Sequence, residues 1–144
     1  MFKKILFPTD FSDVSNKALD YITTLKEVGA ETVVIIHVID KRSINVIDSL
    51  AVVNSHDLER EMITNTSKLL EEVEKKLMDN GFEVKSLLKI GFPVIEILDA
   101  EKEEDVSVIV IGSHGKSNIA EMFLGSVSEK VIRKCEKPVF VIKR

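Results

Sequence analysis

Val108-Ile109-Val110-Ile111-Gly112-Ser113-His114-Gly115 decides how the chain reads. Four β-branched residues follow one another without alternation, the pattern of a strand covered on both faces. The run stops at glycine. After nine intervening residues comes Gly125-Ser126-Val127-Ser128, which opens a helix-spaced segment through Val131 and Ile132, expected over about 126–135. A buried strand that ends in glycine and leads to a hydroxyl-rich helix start is an arrangement that holds phosphates with backbone N–H groups. Gly112 lets the chain turn off the strand with no Cβ against a ligand, and Gly115 permits positive φ and close backbone approach. Ser126 and Glu129 have the spacing of a capping box, at a helix end that carries unpaired N–H groups and the positive end of the dipole. Spacing alone leaves a second reading open, in which the glycines are turn residues and Ser126 is only a cap.

Upstream, Ile5-Leu6-Phe7 is a short apolar run stopped at Pro8, read as a buried strand over 2–8. Ser12 is placed to cap a helix whose apolar face comprises Val14, Ala18, Tyr21, Ile22, Leu25 and Val28, closed by Gly29. A second β-branched strand spans 31–38. Residues 41–54 lack a strong period and read as an irregular excursion with at most a helical turn. A long helix from about Ser55 ends at Asn80-Gly81. Partial alternation over 82–89 suggests a strand nearer the sheet edge, with one face wetter. Pro93 starts a helix, and the acidic cluster Glu101, Glu103, Glu104, Asp105 reads as its solvated end. Strands at 106–112 and 138–142 complete the pattern. Five strands alternating with helices imply a mainly parallel sheet with helices on both faces, a doubly wound Rossmann-like α/β sandwich. Ligands in such sheets bind beyond the carboxyl ends of the strands, where strand order reverses. The strands ending at Pro8 and Gly112 are expected to flank that crevice.

Gly115-Lys116-Ser117 looks like the end of a P-loop, but that motif needs a glycine five positions earlier, and Val110 stands there. No G-x-G-x-x-G follows the first strand, so a dinucleotide fingerprint is also absent. A phosphorelay receiver would place an aspartate at the end of the third strand; this one ends Lys89-Ile90-Gly91.

The 144 residues suit one domain over 1–144. A net charge of −4 argues against a nucleic-acid partner, which needs a basic face. No apolar run approaches a membrane span, and the apolar part of the N-terminus is too short for a signal peptide. Cys135 is the one cysteine, which suits a reducing compartment, so the cytoplasm is expected. Cys135 falls on an apolar face and reads as a small buried hydrophobe, and His37, inside a strand, as a structural histidine.

The spaced glycines Gly112-x2-Gly115-x9-Gly125-Ser126 resemble the ATP-binding signature of the universal stress protein family. The start, Ile5-Leu-Phe-Pro-Thr-Asp10-Phe-Ser12, and the close, Lys137-Pro-Val-Phe-Val-Ile142, resemble that family's first and last strands. The resemblance implies ATP as ligand, with Mg or Mn accompanying the phosphates. Pro8, Thr9 and Asp10 would line the adenine and ribose side, and Val38 would contact adenine. Gly112, His114 and Gly115 would lie along the ribose and phosphates, and Gly125, Ser126, Val127 and Ser128 would bind the phosphates. It implies a homodimer through the last strand, 138–142. The leading expectation is a stress-linked regulator with an unknown protein partner and slow or no hydrolysis, since no arginine finger or evident catalytic carboxylate flanks the glycine segment. Asp10 has a purely structural alternative, as a cap of the first helix. A weak metal-dependent ATPase or nucleotidyl-transfer enzyme, with Asp10 or His114 acting on water, and a nucleotide-free dimeric module remain the competing functions.

Overall fold

A computed structural model describes residues 1–49, 55–115 and 124–144. Residues 50–54 of the excursion, and the Lys116-Ser117 pair weighed as a P-loop ending, lie outside the described residues.

The continuous apolar runs form the strands. β1 (Lys4–Pro8), β2 (Thr32–Asp40), β3 (Glu83–Gly91), β4 (Val108–Gly112) and β5 (Val139–Ile142) make one sheet in the order β3-β2-β1-β4-β5, every pairing parallel. Strand order reverses between β1 and β4, the crevice expected from the sequence. Alternate side chains of the same runs feed two cores. Ile5, Phe7, Val33, Ile35, Val108 and Val110 pack under α1 (Asp13–Leu25) and α3 (Ser55–Asp79). Leu6, Val34, Ile36, Ile109 and Ile111 pack under α4 (Pro93–Glu103) and α5 (Ser126–Lys134). Burying each of these large side chains is worth about 1.5–3 kcal/mol before the entropy of ordering it.

Local chemistry sets the boundaries. Ser12 Oγ accepts the Ser15 N–H at 3.2 Å and starts α1. A turn of 3₁₀-helix over Lys26–Val28 then ends at Gly29, with φ 99°. Gly81 ends α3 in the same left-handed conformation, with φ 83°. Pro93 occupies the first turn of α4. β3 is an edge strand and is partly exposed along its length, as its alternation implied.

Four sequence readings need correction. Residues 41–49 are not irregular: α2 (Lys41–Ser49) follows β2 with no connecting residue. The Asp40 carboxylate accepts the Arg42 N–H at 2.9 Å and so supplies the helix start, while Ile44 is buried. Tyr21 and Val28 stand outside the core at 50% and 62% exposure; Leu19 takes the buried position on α1. Glu101 is not part of a solvated end but is buried. It lies four residues after Ile97, on the core-facing side of α4, and its Oε1 accepts the N–H groups of Glu136 and Lys137 at 2.8 and 2.7 Å. Glu104 is also drawn in, bridged by Lys85 at 2.6 Å and Lys4 at 3.4 Å. Cys135 follows α5 and packs partly buried against the second core. Burial first, and the charge of Glu101 second, pushes its thiol pKa up, away from nucleophile character.

Candidate functional site

A cleft of about 250 Å³ opens at the carboxyl ends of β1, β2 and β4. Each of the eleven residues expected at the site from the sequence lines it.

Pro8, Thr9 and Asp10 enter from the end of β1. Thr9 is buried, and its N–H bonds the Ile36 carbonyl at 2.9 Å, one step beyond the last β1–β2 register pair, Pro8 with Ile36. Its hydroxyl oxygen accepts from the Phe11 N–H at 3.1 Å and from the Ser15 hydroxyl at 2.6 Å. Its carbonyl lies 2.7 Å from His37 Nδ1, which gives that histidine the structural role expected of it. Phe11 has φ 62°, a left-handed conformation uncommon for an aromatic residue, and its ring rests on the His37 imidazole at 4.8 Å. This loop aims Asp10 into the cleft. Asp10 Oδ1 accepts the Ser12 N–H at 3.0 Å, so the carboxylate serves the start of α1 and the cleft together.

Val38 lies on the far wall. β2 continues to Asp40, past the end of β1. Peptide groups alternate sides along a strand, so the N–H and C=O of Val38 point the same way as those of Ile36, into the space that β1 has vacated. An acceptor–donor pair on a planar ligand fits there.

A Cβ on Gly112, which lines the cleft, would stand 3.0 Å from Val14 Cγ1, so packing of α1 on β4 adds its own demand for a small residue there. One expectation on the β4 side needs correction. Gly115 does not adopt positive φ. Its need is space: a Cβ would lie 2.7 Å from Asp10 Oδ2.

Gly125, Ser126, Val127 and Ser128 form the opposing lip. Gly125 is the cap residue of α5, in extended conformation, and no side chain caps this helix. Ser126 is therefore the first helical residue and not the capping-box serine; Gly125 takes the cap position, with its N–H bonded to the Ser113 carbonyl at 2.7 Å. The Ser128 hydroxyl donates to the Gly112 carbonyl at 2.7 Å, which pins α5 to the end of β4. A helix start held in place without a side-chain cap presents its N–H groups and positive dipole end to an anion. His114 is buried between these lips. Its Nδ1 lies 2.7 Å from Ser113 Oγ, while Nε2 is buried with no hydrogen-bond partner among the described residues.

Ser15, Ile36, His37, Pro93, Ile97 and Ile111 also line the cleft without having been singled out for it. A signal existed for two of them. Pro93 and Ile97 are one turn apart at the start of the helix after β3, and every βα junction of a parallel sheet opens at the same end. The titratable side chains lining the cleft are Asp10, His37 and His114; among the described residues no lysine or arginine does so. Among the described residues no helix is long and apolar enough to cross a membrane, and no group of three or more His, Cys, Asp or Glu could hold a metal ion.

The model of the universal stress protein family matches residues 1–143. Universal stress protein MJ0577 of Methanocaldococcus jannaschii is 40% identical over all of this chain and 96% of its own length. A solved structure of MJ0577 superposes with a TM-score of 0.89 at 41% identity, covering 100% of this chain and 97% of that one. A universal stress protein of Archaeoglobus fulgidus solved in complex with dAMP has a TM-score of 0.68 at 22% identity, covering 99% and 98%. A universal stress protein solved in complex with cAMP has a TM-score of 0.71 at 20% identity, covering 99% and 97%.

Proposed function

The chain belongs to the universal stress protein family, and from that premise we propose that it binds ATP in the cleft at the β1–β4 switch point and acts as a nucleotide-dependent regulator. One observation carries this reading: residues from four separate stretches of sequence, expected to contact one nucleotide, line one cleft whose far lip is an α5 start without a side-chain cap. The dAMP and cAMP complexes of structurally similar family members support an adenine nucleotide as the class of ligand.

In this reading the Val38 peptide reads the acceptor–donor edge of adenine, Asp10 faces the ribose hydroxyls, and the N–H groups of residues 126–128 receive the phosphates. Mg or Mn accompanies the phosphates and takes most of its ligands from them and from water. Transfer of a phosphoryl group calls for positive charge at the transferring oxygens. Absence of a lining lysine or arginine among the described residues supports slow or no hydrolysis. The output is then a change in contacts with a protein partner, and α2, continuous with the strand that carries Val38, is the proposed place for it. The working unit is a single nucleotide-binding domain over 1–144, paired as a cytoplasmic homodimer through the 138–142 edge.

The test is to denature purified protein, identify released small molecules by mass spectrometry, and titrate the emptied protein with ATP by calorimetry. Released adenine nucleotide, or ATP binding with 1:1 stoichiometry per chain, supports the reading. Neither release nor binding rejects it in favour of a nucleotide-free module.

A further inference from the structure

We propose that His114 and Ser113 form a proton-linked anion receptor, in which the His114 imidazole takes up a proton when a phosphate enters the cleft. The inference rests on the nucleotide-binding reading for its natural ligand, but the receptor itself needs only a polyanionic phosphate.

Three observations meet here. His114 lines the cleft and is 91% buried, and its Nε2 is buried with no hydrogen-bond partner among the described residues. Such a polar atom is retained where a ligand completes it. The adjacent α5 start has no side-chain cap, so the space beside His114 already favours negative charge. Ser113, itself 2% exposed, places its Oγ 2.7 Å from Nδ1.

A serine hydroxyl suits this position because it both donates and accepts. With a neutral ring it donates to Nδ1, which leaves the hydrogen on Nε2. With a charged ring it rotates and accepts from Nδ1–H, while Nε2–H donates to a phosphate oxygen. The proton comes from solvent and returns there when the anion leaves. Charge-assisted hydrogen bonds of this kind are roughly twice as strong as neutral ones. Among the described residues, the other titratable groups lining the cleft are Asp10, from the β1–α1 loop, and His37, from β2. The residues of α5 and α4 that line it carry no charge.

The sign follows. A histidine that gains an anionic partner has its pKa raised in the complex, so the added affinity is present at low pH and is lost as pH rises through the bound-state pKa. The phosphate titrates in the same range, so each measurement is made against His114→Gln, which keeps a neutral donor near Nε2.

The experiment measures ATP and adenosine affinity from pH 5.5 to 8, and follows the imidazole ¹H–¹⁵N signals of His114 with and without inorganic tripolyphosphate. The wild-type to His114→Gln ratio of ATP affinities is expected to fall by roughly tenfold across the range, with no such fall for adenosine. Tripolyphosphate is expected to raise the His114 titration midpoint. Ser113→Ala is expected to change the neutral tautomer seen by ¹⁵N shifts, a readout that a packing role for Ser113 would leave untouched. A flat ATP ratio with an unmoved midpoint overturns the receptor even if ATP binds. A midpoint raised by tripolyphosphate in protein that does not bind ATP removes the nucleotide reading and keeps the receptor.

Discussion

Asp10 and Gly115 meet across the mouth of the cleft: a Cβ on Gly115 would stand 2.7 Å from Asp10 Oδ2, closer than a carbon and a carboxylate oxygen can approach. Asp10 is held from behind, because its Oδ1 accepts the Ser12 N–H at 3.0 Å. The added methyl must therefore push the carboxylate off its position or move the 113–115 loop. Gly115→Ala is expected to weaken ATP binding by roughly tenfold, the equivalent of 1.4 kcal/mol, while the urea midpoint stays near that of the parent. Calorimetry and urea denaturation on the same preparation check both halves. Undiminished affinity would show that the Asp10 carboxylate has no part in binding.

The β1–α1 loop carries the second prediction. Phe11 has φ 62°, which costs an L-residue roughly 1–2 kcal/mol and costs glycine nothing. Both Phe11→Ala and Phe11→Gly lose the contact with the His37 ring, so their difference isolates the backbone. Phe11→Gly is expected to be more stable than Phe11→Ala by about 1 kcal/mol in urea unfolding, the reverse of the usual order of these residues. Equal stability would mean that the loop relaxes once the ring is gone.

Glu101 shows where charge reading from sequence stops. Its Oε1 accepts two backbone N–H groups, from Glu136 and Lys137, just ahead of β5, and its Oε2 is buried with no partner among the described residues. Glu101→Leu would strand both N–H groups, and is expected to cost about 2–4 kcal/mol. Glu101→Gln keeps a carbonyl acceptor and is expected to cost less. Denaturant unfolding of the two variants reads the ordering; a leucine variant as stable as the glutamine one would remove the carboxylate's bracing role.

What the sequence made legible, and what it did not, divides along these residues. Ile5-Leu6-Phe7 and Val108–Ile111 announced themselves because burial on both faces leaves no room for alternation, and parallel order follows from the helices between them. The spaced glycines placed the cleft because backbone approach restricts residue type. Their individual reasons were out of reach: Gly112 yields to Val14 on α1 and Gly115 to Asp10 on another loop, and both are contacts between distant parts of the chain. Glu101 was misread for the same cause. Its burial is decided by two N–H groups more than thirty residues away. Helix α2 was missed because Asp40-Lys41-Arg42 reads as the polar end of a strand, although Asp40 also starts the helix.

The bridge at Glu104 predicts an acid-range dependence. The hydrogen bond from Lys85 holds the Glu104 carboxyl below its ordinary value of 4.5; burial opposes it, and the charge of Lys85, then the hydrogen bond and charge of Lys4, add to the lowering. A depressed folded-state pKa contributes stability that is present above the unfolded value and is lost as pH falls through the folded one. The stability difference between the parent and Glu104→Gln is therefore expected to be largest at neutral pH, to shrink below about pH 4.5 and to vanish at lower pH. Urea unfolding at a series of pH values checks it. A difference that does not change with pH would assign the effect of the substitution to packing.

The outer edge of β5 carries the last prediction. The Pro138 carbonyl accepts from Ile109 and the Ile142 carbonyl from Ser113, so the peptide groups of the even-numbered residues 138, 140 and 142 face β4. Those of Val139 and Val141 face outward, along an edge that no other strand of the sheet covers. Beside it, Phe140 is 37% exposed and a second cleft, of about 260 Å³, runs between Tyr21, Leu25 and Val141. If two copies pair along this edge, the outward N–H of Val141 is one of the bonds they exchange, and proline there removes it without touching the β4 ladder. Val141→Pro is expected to sediment as a monomer at concentrations where the parent is a dimer, with unchanged far-ultraviolet circular dichroism and ATP affinity within about threefold, since the cleft lies at the other side of β4. A dimer that survives the substitution at full strength would move the interface away from β5. Monomer formation together with lost ATP binding would instead tie the proposed nucleotide binding to pairing along this edge.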